Sequence, residues 1–304
     1  MTAPIVVFAY KRPKHLQRTL DALARNALAP KSDLFLFCDA PKAERDVAAV
    51  EDARNVAKAT KGFRRIEIVL RDTNMGLARS VITGVTQIII VHKRAIVVED
   101  DIETSPRFLT YMNKALDHYE SDRNAFSVTG FSYPALHLPI PAEYPYDTYS
   151  SYRISSWTWG TWADRWSKVR WDMDYFPDLE KDQAGQALFN RGGADLFRML
   201  RQQRDGHVDS WAVRFAYAQH TLNLNSIYPI RTMARNIGLD GSGVHSGEDP
   251  KAEHAVLDPK WLPRKFGPAA LHDARIDRAF YELFDQPPLE RPPLLKRLAH
   301  ALRP

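Results

Sequence analysis

At 304 residues, with 44% apolar and 26% charged side chains, the chain can bury a full core and is not composed like a disordered segment. A net charge of +5 and a pI near 9.2 suit an anionic ligand such as a nucleotide diphosphate, or an anionic membrane surface. No Lys/Arg run interleaves with aromatics, so nucleic acid is not an expected partner, and the single cysteine, Cys38, excludes an intrachain disulfide and a zinc-finger site.

The chain opens with an apolar run over 4–10 that reads as a buried strand. Lys11-Arg12-Pro13 breaks it, and Leu16, Leu20, Leu23, Ala24 and Ala27 then recur at helical spacing. A second strand over 33–38 ends at Asp39, followed by a helix carrying Val47, Val50, Ala53, Val56 and Ala57 on one face. A third strand covers 66–70. Asn74-Met75-Gly76-Leu77 then opens a helix through Val81, Val85 and Ile88. The fourth strand, 95–98, stops abruptly at Glu99-Asp100-Asp101. Ser105 as N-cap and Pro106 as first helical residue predict a helix running to Tyr119, and 125–128 is a fifth strand. This alternation predicts a parallel sheet with helices on both faces up to about residue 130.

Ligands of open α/β sheets bind at the carboxyl ends of the strands, where the three acids fall. Adjacent carboxylates repel. A hard divalent cation held by one or two of them plus substrate phosphates would relieve that, as would plain solvation in a strand-to-helix loop. Arg12, Asp39, Asn74 and Arg79 belong to the same rim. Neither G-x-G-x-x-G nor a Walker A sequence follows the first strand, so a Rossmann dehydrogenase or P-loop enzyme is not expected.

From 131 the chain is Pro- and Tyr-rich, and five of its seven tryptophans lie within residues 155–171. They form either a buried aromatic core or a platform on which a sugar stacks. A short helix is expected over 193–205. His207-Val208-Asp209-Ser210-Trp211 leads into another, and 224–230 is a closing strand. The stretch 234–245 carries three glycines within six residues and is a candidate lid or an ordinary surface loop. Beyond 250 lie a helix over 269–284 and a basic amphipathic end, 294–303, able to dock on the domain, a membrane surface or another subunit. No run approaches the length of a membrane span and no signal-peptide pattern opens the chain, so a cytoplasmic location is expected, with peripheral membrane contact through the tail.

Phe8-Ala9-Tyr10-Lys11-Arg12-Pro13-Lys14-His15-Leu16-Gln17-Arg18-Thr19-Leu20 resembles the opening strand, loop and helix of GT-A-fold nucleotide-sugar glycosyltransferases. The likeness is to N-acetylglucosaminyltransferase I and related bacterial family-2-like sugar transferases. Val97-Val98-Glu99-Asp100-Asp101-Ile102-Glu103, with Pro106-Arg107-Phe108, resembles that family's metal-binding D-x-D-type stretch. Asn74-Met75-Gly76, Trp157-Thr158-Trp159-Gly160-Thr161-Trp162, Asp209-Ser210-Trp211 and Asn236-Ile237-Gly238 resemble further landmarks of the bacterial branch, in matching order over roughly residues 4–247.

The resemblance implies a GT-A, Rossmann-like α/β fold: a mostly parallel central sheet flanked by helices, with a C-terminal acceptor-side half. Residues 1–130 would bind the nucleotide sugar, 131–250 would form the acceptor and catalytic-base side of the same domain, and 251–304 a helical tail. It further implies a metal-dependent inverting transferase acting from a nucleotide-diphosphate sugar onto a glycan or lipid-linked hydroxyl, in surface polysaccharide or glycoconjugate synthesis. Asp101 would bind Mn²⁺ or Mg²⁺, with His245 near the metal. Glu99 and Asp100 would contact donor sugar or ribose, Arg12 phosphate and Asp39 the base, with Asn74 and Arg79 as further nucleotide contacts; Asp209 would be the catalytic base. The bacterial branch carries a second acid after the Trp of that last segment, where this chain has Ala212-Val213. The rival expectations are a sugar nucleotidyltransferase, which needs a Gly-rich basic loop after the first strand, and a non-catalytic carbohydrate-binding protein.

Overall fold

A strand buried on both faces must lie between parallel neighbours whose crossover helices cover it. In the computed structural model, which describes residues 1–239 and 255–285, Ile5–Ala9 (β1) is such a strand, buried at every position. Pro13–Ala24 (α1) leads to Asp33–Cys38 (β2), Val47–Ala59 (α2) to Arg65–Leu70 (β3), and Leu77–His92 (α3) to Arg94–Glu99 (β4). β1 pairs in parallel with β2 and β4, and β2 with β3. Pro13 sits at the start of α1, where its missing N–H costs nothing.

The second half completes the same sheet. Ile102–Thr104 (β5) precedes Phe108–Tyr119 (α4) and Ala125–Thr129 (β6); Thr148–Ser151 (β7) and Thr158–Trp162 (β8) follow. Short helices Ala163–Trp166 (α5), Phe176–Lys181 (α6), Gln183–Phe189 (α7) and Leu196–Arg204 (α8) lead to Trp211–Thr221 (α9), Asn225–Pro229 (β9), Ala234–Asn236 (β10) and Ala274–Phe284 (α10). The strand order is β3-β2-β1-β4-β8-β6-β9-β7, with four of its seven pairings parallel. β10 and β5 form a separate antiparallel ribbon. This is the expected α/β class: a large, mostly parallel central sheet between helices, consistent with a Rossmann-like GT-A arrangement. Leu16, Leu20, Leu23, Ala53, Leu109 and Leu116 pack one face, and Val81, Val85, Ile88, Trp211 and Phe215 the other. Among the described residues no helix is long and apolar enough to cross a membrane.

Two local expectations are corrected, and the tryptophan run takes a definite form. The tryptophan run is itself a strand, β8, inserted antiparallel between β4 and β6. α4 starts at Phe108, two residues later than expected: Ser105 accepts the Arg107 N–H on Oγ at 3.3 Å and the Phe108 N–H on its carbonyl at 3.0 Å, closing a turn ahead of the helix. The candidate lid begins as β10, paired residue for residue with β5. Its continuation past 239, and the basic end 294–303, lie outside the described residues.

α3 reaches the sheet through Gly84, where a Cβ would stand 2.7 and 2.9 Å from the Phe8 ring and 3.3 Å from Phe37. Phe8 and Phe37 stack with centroids 5.3 Å apart, so neither can move alone. Overpacking of about 1–3 kcal/mol then outweighs the ~1 kcal/mol of helix propensity that alanine adds. Gly84→Ala is expected to lower the urea unfolding midpoint; an unchanged or higher midpoint would show that the ring stack yields freely.

Candidate functional site

Parallel register decides which loops meet. Phe8 stands opposite Glu99 and Ala9 opposite Cys38, so the loops after β1, β2 and β4 leave the sheet at one edge. The Asp39 N–H bonds Ala9 O at 2.9 Å, drawing the second loop against the first.

The acidic turn after β4 is buried. Asp100 is 7% exposed and Asp101 3%, while Glu99 is half-buried. Arg12 crosses from the first loop and donates from one nitrogen, Nη2, to Asp100 Oδ1 at 2.6 Å and to Asp101 Oδ2 at 2.7 Å. Burial disfavours the guanidinium charge, but the two aspartates outweigh it and raise Arg12 above its ordinary range. Burial pushes the Asp100 carboxyl up against the pull of Arg12; burial together with Asp101 and Asp100 pushes Glu99 up further. One guanidinium therefore balances three carboxyls incompletely. Thr19 of α1 fixes the turn, donating from Oγ1 to Asp100 O at 2.9 Å and accepting from the Ile102 N–H at 3.0 Å.

Two atoms of this cluster, Asp101 Oδ1 and Arg12 Nη1, are buried without a hydrogen-bond partner among the described residues. The start of the candidate lid lies over them. The Ile237 N–H bonds Asp101 O at 2.8 Å, and a Cβ on Gly238 would collide with Asp101 Oδ2 and stand 2.6 Å from Arg12 Nη1. Only glycine fits this cover. Among the described residues no group of three or more His, Cys, Asp or Glu converges to hold a metal. The orphaned Asp101 Oδ1 offers one oxygen ligand, which suits a cation completed by substrate phosphates rather than a closed protein cage.

A second clamp lies beside the first. Asp39 accepts from the N–H groups of Ala40 at 2.9 Å, Met75 at 2.9 Å and Gly76 at 3.1 Å. The Asn74 amide donates to Ala40 O at 2.7 Å, so the 74–76 loop is tied to the end of β2. Gly76 adopts φ 72°, a left-handed conformation suited to glycine, and a Cβ there would lie 3.2 Å from Asp209 Oδ2. Asp209 also accepts from the Ala78 N–H at 3.4 Å, at the start of α3. Its carboxylate is exposed, but its backbone is anchored. Ser210 caps α9 through the Val213 N–H at 3.4 Å, and Trp211, 2% exposed, stacks on Trp159 at 4.9 Å.

The structure thus brings Arg12, Asp100 and Asp101 into contact with Glu99 beside them, and joins Asp39, Asn74 and Asp209 through the 74–76 loop. Arg79 is exposed on the first turn of α3. His245 lies outside the described residues. Trp159, Trp162, Trp166 and Trp211 are core residues, so the tryptophan run is not a sugar platform as a whole. Trp157, half-buried against Phe131 and accepting the Glu99 N–H on its carbonyl at 3.2 Å, is the one beside the acids. Thr19 and the cover by Gly238 carry no sequence signal beyond a threonine on α1 and the Asn236-Ile237-Gly238 landmark.

No protein-family model matches the chain, and no curated protein does. Among solved structures it is similar to S. aureus TarS 1–349, at 12% identity and TM-score 0.44 over 79% of this chain and 61% of that one. It is also similar to S. aureus TarS, at 12% identity and TM-score 0.40 over 77% of this chain and 36% of that one. A third is UDP-glucose pyrophosphorylase complexed with UDP-glucose, at 11% identity and TM-score 0.38 over 75% of this chain and 90% of that one. The chain therefore spans less than two thirds of the length of either TarS structure.

Asp39→Asn keeps the shape and removes one acceptor oxygen, setting an NH₂ group against a backbone N–H it cannot satisfy. A stability loss of about 1–3 kcal/mol is expected in urea, with faster amide exchange at Met75 and Gly76. Unchanged exchange at those two amides would remove the clamp role.

Proposed function

We propose that the chain is a metal-dependent, inverting glycosyltransferase that moves a sugar from a nucleotide diphosphate to a hydroxyl of a glycan or glycolipid acceptor. The observation that carries this reading is the pairing, at one sheet edge, of a buried acidic cluster with an orphaned carboxylate oxygen and a separate, exposed, anchored carboxylate. The first suits a cation and a diphosphate; the second suits a proton acceptor reached from solvent.

Bound Mn²⁺ or Mg²⁺ would neutralise charge on the leaving diphosphate, with Asp101 as its ligand from this edge and His245 as a second protein ligand. Arg12 stabilises the same charge electrostatically. Glu99 and Asp100 hold the donor sugar or ribose. Asp39 and Asn74 shape the wall for the base, and Arg79, exposed nearby, adds a contact to the nucleotide. Asp209 takes the proton of the acceptor hydroxyl as oxygen attacks the anomeric carbon from the face opposite the leaving group, which inverts that centre. Trp157 supplies an apolar wall that helps keep water from the activated sugar. Assembly of surface polysaccharide or glycoconjugate, with the basic C-terminal end touching the membrane, is the setting we propose. A nucleotidyltransferase reading is weakened because Lys11-Arg12-Pro13 lacks the glycine-rich loop it needs. A purely sugar-binding role is weakened by the burial of most of the tryptophans.

A screen of UDP-, GDP- and CMP-sugars for released nucleotide tests the reaction class. Turnover should vanish on chelation and return with Mn²⁺ or Mg²⁺; full activity in chelator would remove the metal from the scheme. Asp209→Asn should lower turnover by about 10²–10⁴-fold with donor affinity kept, as expected for loss of a general base. Turnover equal to the parent chain would remove Asp209 from that role.

A further inference from the structure

We infer that Arg12 is an internal counter-ion standing in the cation's place, and that a divalent cation enters by displacing Arg12 from Asp101 and freeing it for the donor diphosphate. This rests on the metal-dependent reading above and deepens it by naming what occupies the acids beforehand.

Arg12 binds the acids in a way that leaves both partners unfinished. A single nitrogen, Nη2, serves Asp100 and Asp101 together, while Arg12 Nη1 and Asp101 Oδ1 stay buried without partners among the described residues. The stronger way for a guanidinium to neutralise a carboxylate is to face it with two nitrogens. Arg64 does so with Asp33, using Nε and Nη2 at 2.8 and 2.7 Å, and Arg153 does so with Asp195 at 2.7 and 2.9 Å. Neighbouring cations are engaged elsewhere. Lys11 bonds Asp46 at 2.7 Å, and Arg18 and Arg235 bond Glu103 at 3.2 and 2.9 Å. Among the described residues Arg12 is the only cation in contact with Asp100 and Asp101.

The charge count favours exchange. Asp100 and Asp101 share one nitrogen of one guanidinium, and a divalent ion matches a pair of buried carboxylates better than a monovalent side chain does. Gly238 presses on Asp101 Oδ2 and Arg12 Nη1 so closely that even a methyl group would collide. Asp101 Oδ1 is buried as well as unpaired, so a cation reaches Asp101 only if a neighbour moves, and the guanidinium on Oδ2 is the neighbour a cation can replace. Released, Arg12 still stands at the same sheet edge, where a diphosphate would lie, so cation and donor should bind cooperatively.

The experiment is Mn²⁺ binding without nucleotide, read from the free-ion EPR signal, on the parent chain, Arg12→Gln, Arg12→Lys and Asp101→Asn. Arg12→Gln should bind Mn²⁺ at least about tenfold more tightly than the parent, since its competitor is gone, with Arg12→Lys between them and Asp101→Asn binding least. Mn²⁺ should also raise the Tm of Arg12→Gln more than that of the parent. If Arg12→Gln does not fold, Arg12→Lys carries the comparison, with a several-fold gain expected. Equal or weaker Mn²⁺ binding by the folded Arg12 variant overturns the exchange while leaving the metal reading intact. Mn²⁺ binding to none of the four also overturns the exchange, and the metal reading then stands or falls on the chelation and add-back of turnover.

Discussion

Ending a fully buried strand in three carboxyls is the constraint around which one edge of this molecule is arranged. β4 sits between β1 and β8 with Ala95, Ile96, Val97 and Val98 all buried, so its acids emerge into protein rather than water. Charges placed there must be met by donors or opposite charge, or be driven towards the neutral form. Arg12 supplies the charge, Thr19 holds the backbone, and the β5–β10 ribbon brings Gly238 over the top. Each comes from a distant part of the chain. The acid turn is therefore a product of tertiary structure, although its residues are consecutive.

The second half of the chain serves this edge by extending the sheet. β8 pairs antiparallel with both β4 and β6, and its Trp159 stacks with Trp166 of α5 in the layer that also receives Trp211 and Phe215. That stack locates the start of α9, and with it Asp209, against the start of α3. The tryptophans thus act on the candidate site through position. Their burial sets where an exposed carboxylate stands.

The parallel half was legible because buried strands write continuous apolar runs and their helices write a 3.6-residue period. β1, β2, β3 and β4 appear where those runs are. β8 was not legible: Thr158-Trp159-Gly160-Thr161-Trp162 looks like an aromatic cluster, and only its two neighbours in the sheet make it a strand. β5 and β10, of three residues each, are too short to show any period. At Ser105-Pro106 the cap-type bond forms, with Ser105 Oγ accepting the Arg107 N–H at 3.3 Å, but it closes a turn two residues ahead of α4. The candidate site divides similarly. That Arg12, Asp39 and the acid triplet share an edge follows from strand order alone, but their partners do not. Asp39 spends its carboxylate on amides 36 and 37 residues away, a contact no local pattern records.

The separation of buried and exposed acids has its own physical logic. A carboxylate that must hold a cation gains from burial, because attraction strengthens where water is excluded. A carboxylate that must accept a proton from an incoming hydroxyl has to be reachable, and has to stay clear of the neutralising charge that serves the first group. Asp101, at 3% exposure and in contact with Arg12, meets the first requirement; Asp209, exposed and held by a backbone N–H, meets the second. The 74–76 loop lets both stand on one edge. Asp39 fixes it on one side, while Gly76, lacking a side chain, lets Asp209 approach on the other. A side chain at position 76 would crowd the Asp209 carboxylate and strain the backbone together. Under the proposed function, the spacing between the donor and acceptor halves of the reaction is therefore carried by a loop whose own residues contribute mainly backbone.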